Sequence, residues 1–157
     1  MLLGLVGLCL LTGAAAGAVT AGNIAPWYRS LARPPGAPPD WVFAPVWTLL
    51  YIVMGSAAWL VWRHASQGLE QRRQAYDALM LWGWQLAVNA LWPAVFFGLH
   101  APASGLAVIL LLLVLVGLTI RSFVRIDRAA ALLLVPYLIW CSYATYLNAG
   151  FWWLNRN

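Results

Sequence analysis

Four stretches of this 157-residue chain hold no charged side chain: 1–28, 41–62, 78–120 and 129–155, which are 28, 22, 43 and 27 residues long. About 20 residues of helix cross a hydrocarbon core about 30 Å thick, so each stretch is long enough to span a bilayer. The 43-residue run is too long for one crossing, and it carries its own break in Gly98-Leu99-His100-Ala101-Pro102-Ala103-Ser104-Gly105. Glycine, proline and an imidazole together mark a turn there. Division at that point predicts an all-α integral membrane protein, a five-transmembrane-helix bundle forming a single domain over 1–157. The helices are expected at about 2–22, 41–63, 75–97, 103–124 and 129–153. A transmembrane β-barrel is excluded, because its strands alternate apolar and polar residues whereas these runs are continuous.

Composition narrows the function. Only 8% of the residues are charged and 64% are hydrophobic, whereas soluble domains carry about a quarter charged residues. That excludes a cytosolic enzyme, a disordered tail and a nucleic-acid module. The net charge of +5 comes from nine basic residues, all arginine and scattered between apolar runs, so no nucleic-acid partner is expected. Cys9 and Cys141 each lie inside an apolar run and read as inert buried thiols, not as a disulfide framework.

Two features of the first 40 residues bear on topology. Gly13-Ala14-Ala15-Ala16-Gly17 resembles a signal-peptide cleavage region, but the first arginine is Arg29, so the positive n-region of a leader is missing. A retained first helix is the favoured reading. Loop 23–40, NIAPWYRSLARPPGAPPD, holds five of the nine prolines and is too stiff for a long helix. Pro26 is placed to open a short turn carrying Trp27, Tyr28 and Leu31. Two readings fit this loop equally: a lid over the bundle, or an aromatic anchor at headgroup depth. With five spans, Arg63, Arg72, Arg73, Arg121, Arg125 and Arg128 share one side, against Arg29, Arg33 and Arg156 on the other. The positive-inside rule then puts the N-terminus in the cytoplasm, with the C-terminus and loop 23–40 outside, and the all-arginine, Ala/Gly/Pro-rich usage points to a bacterial cell membrane.

The inventory of reactive groups is thin. Lysine is absent, which excludes the phosphate-binding G-x-x-x-x-G-K-[ST] loop and Schiff-base chemistry. Asp40, Glu70, Asp77 and Asp127 all lie at loops or helix ends. A proton-driven exporter needs an ionisable group within the membrane, so that class is disfavoured. His64 and His100 fall on opposite sides and cannot share a haem iron, and no cluster has metal-ligand spacing. No catalytic residue, metal or cofactor is expected.

Uncharged polarity and aromatic surface remain. Gln85 and Asn89 stack on one face of helix three, continued by Trp92 and Phe96. Helix five presents Tyr137, Trp140, Ala144, Leu147 and Phe151, and helix two Trp47, Tyr51 and Met54, at the same steps. Bundle packing and interhelical hydrogen bonds account for each stripe taken singly. Their coincidence in the half of the bundle beneath loop 23–40 points to a pocket walled by helices two, three and five. Flat aromatics with a few amides suit a large, planar, mostly apolar ligand.

Four motifs carry a family resemblance. They are Trp27-Tyr28-x-x-Leu31-x-x-Pro34 followed by Pro38-Pro39; Trp41-Val42-Phe43-x-Pro45-Val46-Trp47-Thr48-Leu49-Leu50-Tyr51; Gln85-Leu86-x-x-Asn89-x-x-Trp92-Pro93-x-x-Phe96-Phe97-Gly98; and Val135-Pro136-Tyr137-Leu138-x-Trp140 through Ala144-x-x-Leu147-Asn148. The chain resembles the translocator protein family, also called tryptophan-rich sensory proteins (TspO) or peripheral-type benzodiazepine receptors. The resemblance implies a five-helix bundle, usually a homodimer, whose pocket takes porphyrins and synthetic isoquinoline or benzodiazepine ligands. It places Tyr28, Trp47, Tyr51, Gln85, Asn89, Trp140 and Ala144 on that pocket, with Leu147 beside it.

Two departures limit what is carried over. Many bacterial relatives carry tryptophan where this chain has Pro35-Gly36-Ala37, so light-dependent porphyrin breakdown is not expected. The cholesterol pattern is incomplete, because Phe151 stands where a tyrosine belongs between Leu147 and Arg156. Gly83-x-x-x-Ala87 on helix three and Gly13-x-x-x-Gly17 on helix one offer close-packing faces, either for a dimer or within one subunit. The expected function is a non-enzymatic membrane protein, transporter or sensor, that binds a tetrapyrrole such as protoporphyrin among membrane lipids. A porphyrin-degrading enzyme and a membrane scaffold are the alternatives.

Overall fold

The charge-free runs are helical almost throughout. In the computed structural model, which describes residues 1–24 and 27–156, α1 is Leu2–Ile24, α2 Phe43–Arg63, α3 Leu69–Pro93 and α4 Pro102–Phe123, while α5, Arg128–Leu133, is followed by α6, Val135–Leu154. Five helices, counting α5 and α6 as one span, are long and apolar enough to cross a membrane. The expected short turn opened by Pro26 lies outside the described residues.

Two helix limits differ from expectation, each for a local reason. Helix three starts at Leu69 instead of near 75. Glu70, Arg72 and Arg73 mark where the chain leaves lipid, but Glu, Gln and Arg are good helix formers, so the helix runs on into water. A hydrogen bond from Gln74 Nε2 to Glu70 Oε1 at 2.9 Å supports that turn. The last span, expected as one helix, is broken at Leu134. Pro136 has no N–H for the carbonyl of Leu132, and its ring crowds the preceding turn.

Pro93 acts similarly at the other end of the bundle. It closes α3 and leads into a π-turn over Ala94–Gly98, sealed by the bond from Leu99 N–H to the Ala94 carbonyl at 3.0 Å. His100 follows in the left-handed region, with φ of 53°, and Pro102 opens α4 in its first turn. The expected break at 98–105 is therefore a tight reversal, not a loop.

The helices close into a ring. α1 packs on α2 and α3, α4 sits between α3 and α6, and α5 meets α2. The core runs through Met54, Ala57, Ala58 and Val61 of α2, Ile109, Leu112 and Val116 of α4, and Tyr137 and Cys141 of α6, all at most 1% exposed. α1 is the least embedded span. It touches α2 most closely where Gly55 faces the backbone of Val6.

Candidate functional site

Residues 27–40 lie across one end of the bundle as a fixed lid. Tyr28 sits in a short 3-10 turn, Tyr28–Ser30, and is 3% exposed, packed on Phe97 and Phe151 at ring distances of 5.4 and 5.1 Å. Tyr143 and Tyr146 of α6 donate their hydroxyls to the carbonyls of Gly36 and Pro35 at 2.6 and 3.0 Å. Asn155 accepts the Ala32 N–H at 2.9 Å and donates to its carbonyl at 3.1 Å. Gly150 makes the seat possible, since a Cβ there would stand 2.5 Å from Cβ of Pro34. Of the two readings of this segment, the lid is the one its contacts describe.

Beneath the lid is a cavity of about 430 Å3, within the ordinary range of ligand pockets, about 300–1,000 Å3. Trp47 and Tyr51 of α2, Asn89 and Trp92 of α3, and Tyr28 of the lid face it. Ala14, Gly17, Ala44 and Thr48 also line it and are exposed, so it is open between α1 and α2. Its walls are mainly apolar. The hydroxyls of Thr20 and Thr48 are turned back onto the Ala16 and Ala44 carbonyls of their own helices.

Asn89 is the polar centre of this surface. Its Oδ1 accepts from the Tyr51 hydroxyl at 2.6 Å, its Nδ2 donates to the Tyr137 hydroxyl at 3.0 Å, and Tyr137 donates to Gln85 Oε1 at 2.9 Å. One relay thus ties α2, α3 and α6 together. A carboxamide has two donor hydrogens and two acceptor lone pairs, so these two bonds use one of each on Asn89. Gln85 Nε2 and Trp140 Nε1 are buried donors with no acceptor among the described residues.

The fifth span was expected as a wall of the pocket; this cavity is lined in that place by α1, with α6 behind it. Trp140 stands behind Trp47, edge-on at 6.5 Å, and Phe96 behind Trp92, stacked at 5.4 Å. Gln85 and Ala144 are buried in the core at 1% and 6% exposure, and Leu147 packs in the aromatic cluster under the lid. The reason is steric. Large side chains fill the space they point into, whereas a run of glycine and alanine leaves it empty. Gly13-x-x-x-Gly17, read as a close-packing face, therefore lines the cavity, with the Tyr51 ring against Gly13 and open space at Gly17. Phe43, Phe97 and Asp40 are further wall residues that stripe counting missed.

Electrostatics are concentrated at the two ends. Burial raises the Tyr28 phenol above its ordinary range despite the nearby Arg33. Asp40 pairs with Arg29 at 3.2 Å and with Arg33. At the opposite end His64 Nε2 lies 3.3 Å from Asp127 Oδ2.

The profile of the TspO/MBR family matches residues 5–154 of the chain. The chain belongs to that family. It is 40% identical over 154 residues to tryptophan-rich protein TspO of Chlorobaculum tepidum, covering 96% of this chain and 92% of the relative. Protein CrtK of Rhodobacter capsulatus is 41% identical, with 82% and 78% covered. Translocator protein of Bos taurus is 36% identical, with 83% and 75% covered. As a TspO/MBR member with five helices long and apolar enough to span a bilayer, the chain is an integral membrane protein.

Proposed function

We propose that the lidded cavity binds a flat, mostly apolar tetrapyrrole such as protoporphyrin, and that the protein acts as a membrane transporter or sensor for it, not as an enzyme. One observation carries this reading. Trp47, Tyr51, Trp92 and Asn89 meet on one apolar cavity of about 430 Å3. The indole and phenol rings offer stacking surface, and Asn89 offers one donor and one acceptor to a polar edge. Gln85, Phe96, Trp140, Ala144 and Leu147 then act from the layer behind, holding the wall residues in place. The relatives' names, translocator and sensory protein, agree with transport or sensing. By arginine count the N-terminus is cytoplasmic and the lid end outside. The functional unit is a homodimer through the Gly83 and Ala87 face of α3.

Titration of purified protein with protoporphyrin, followed by tryptophan fluorescence, is expected to show saturable quenching. Gly17→Phe is the discriminating variant, because Gly17 lines the cavity and an added Cβ there meets nothing within 4 Å, which leaves room for a ring at the ligand's expense. It should weaken binding at least tenfold, about 1.4 kcal/mol, in a protein of unchanged helicity. Equal affinity in the folded variant would place the porphyrin elsewhere. Under illumination with excess protoporphyrin, bleaching should not exceed the amount of protein present. Multiple turnovers to a new absorbing product would make the protein an enzyme.

A further inference from the structure

At the lid end one charged residue, Asp40, lines the cavity, and two arginines, Arg29 and Arg33, are paired to it. Asp40 lines the cavity and is a quarter exposed, and it accepts from Arg29 Nε at 3.2 Å and from Arg33. The Arg33 guanidinium also lies 5.2 Å from the centre of the Tyr28 ring, which faces the same cavity. Arg33 is held on a rigid stretch, because Ala32 is bonded to Asn155 on one side and the carbonyls of Pro35 and Gly36 to Tyr146 and Tyr143 on the other. Arg29, Arg33 and Arg156 share this end with a single acid, Asp40. Each guanidinium carries five donors, more than the bonds to Asp40 and, for Arg33, to the Tyr28 hydroxyl employ.

We propose that Arg29 and Arg33 read the carboxylates of an amphiphilic ligand whose apolar body fills the cavity, and that Asp40 occupies this site as an internal carboxylate until the ligand's own displaces or joins it. The ligand class is thereby narrowed to flat apolar molecules bearing acidic side chains, and Arg33, Arg29 and Asp40 set the preference. An apolar cavity alone would take the acid and its neutral ester alike. Two cations around one acid leave an excess positive charge, and bidentate guanidinium–carboxylate pairing is geometrically selective. The inference rests on the tetrapyrrole reading above, and comparison of two probes separates them.

Protoporphyrin and its dimethyl ester share the macrocycle and differ in their two carboxylates. Fluorescence titration of the full chain in detergent is expected to give at least fivefold tighter binding of the free acid. Arg33→Gln and Arg29→Gln should bring acid affinity down toward that of the ester while ester affinity stays constant, so the ester serves as the folding control. Asp40→Asn, which removes the competing carboxylate, should widen the preference. Arg156→Gln, at the same end with its guanidinium 3.4 Å from the Trp153 ring centre, should leave the preference unchanged. Equal binding of acid and ester by the unmodified protein overturns the inference but not the cavity. A loss in Arg156→Gln as large as in Arg33→Gln also overturns it, since the surface field and not the rim would then be acting. If neither probe binds, both readings fall.

Discussion

Asp127 joins two spans through one carboxylate. Its Oδ1 accepts the Ala130 N–H at 3.0 Å and caps α5, while its Oδ2 faces His64 at the end of α2. Burial opposes ionisation, but the backbone bonds of Ala130 and Ala129 and the His64 ring outweigh it and hold the carboxyl below its ordinary range. A carboxyl lowered by folding stabilises the protein above its unfolded value of about 3.9, and that contribution disappears as pH falls through the folded value. Asp127→Asn keeps the cap, because asparagine caps about as well, and removes only the charge. Thermal unfolding in detergent should therefore show the variant less stable than the parent at pH 7, with the gap closing below about pH 4. A gap of constant size across that range would assign the whole effect to shape. In the sequence both residues read as polar ends of separate spans, since a separation of 63 positions carries no periodic link. The Asn89 relay was better signalled. Two amides four apart in an apolar run need partners, but that Tyr51 and Tyr137 supply them was visible only once α2 and α6 were seated.

Small residues do opposite things on the first two helices. At Gly55 of α2 an added Cβ would lie 2.6 Å from Cα of Val6 and 2.8 Å from its nitrogen, so the two backbones would have to separate. At Gly17 of α1 an added Cβ meets nothing within 4 Å. Gly55→Ala is thus expected to cost about 1–3 kcal/mol, the range for overpacking a tight contact. Gly17→Ala should be neutral or gain up to about 1 kcal/mol from helix propensity. Thermal unfolding of the two variants side by side checks this, and equal destabilisation would mean that α1 sits differently against α2. The helices themselves were legible because charge-free length is a direct statement about the bilayer. Their exact limits were not. Charge marks the edge of the lipid, whereas proline chemistry and helix propensity mark the edge of the helix, as Leu69 and Leu134 show. The cavity wall on α1 was misread for a related reason: Gly13-x-x-x-Gly17 is compatible with a close approach and with a void, and the choice depends on what stands opposite.

The proposed homodimer would be built on the outer face of α3. Gln85 and Asn89 point inward at 1% and 2% exposure, while Met80, Trp84, Ala87 and Leu91 are exposed and Gly83 meets no neighbour within 4 Å. These residues recur at steps of three and four, so they form one stripe along the helix. In lipid an exposed apolar stripe gains nothing by hiding from water, and association there depends on close backbone approach and packing. Gly83 and Ala87 provide the low ground of the stripe, with Trp84 beside them as a projecting ridge. A second copy related by two-fold symmetry would bring each ridge against the other copy's small residues, as a self-complementary contact requires. Ala87→Phe raises that low ground without touching the cavity, which lies on the other side of α3. It should cut the dimer fraction at least tenfold in detergent micelles, read by light scattering at fixed protein-to-detergent ratio, and leave protoporphyrin affinity within about twofold. A dimer that survives both this substitution and Gly83→Leu uses another face, and the exposed side of α4 or α6 would then have to supply it.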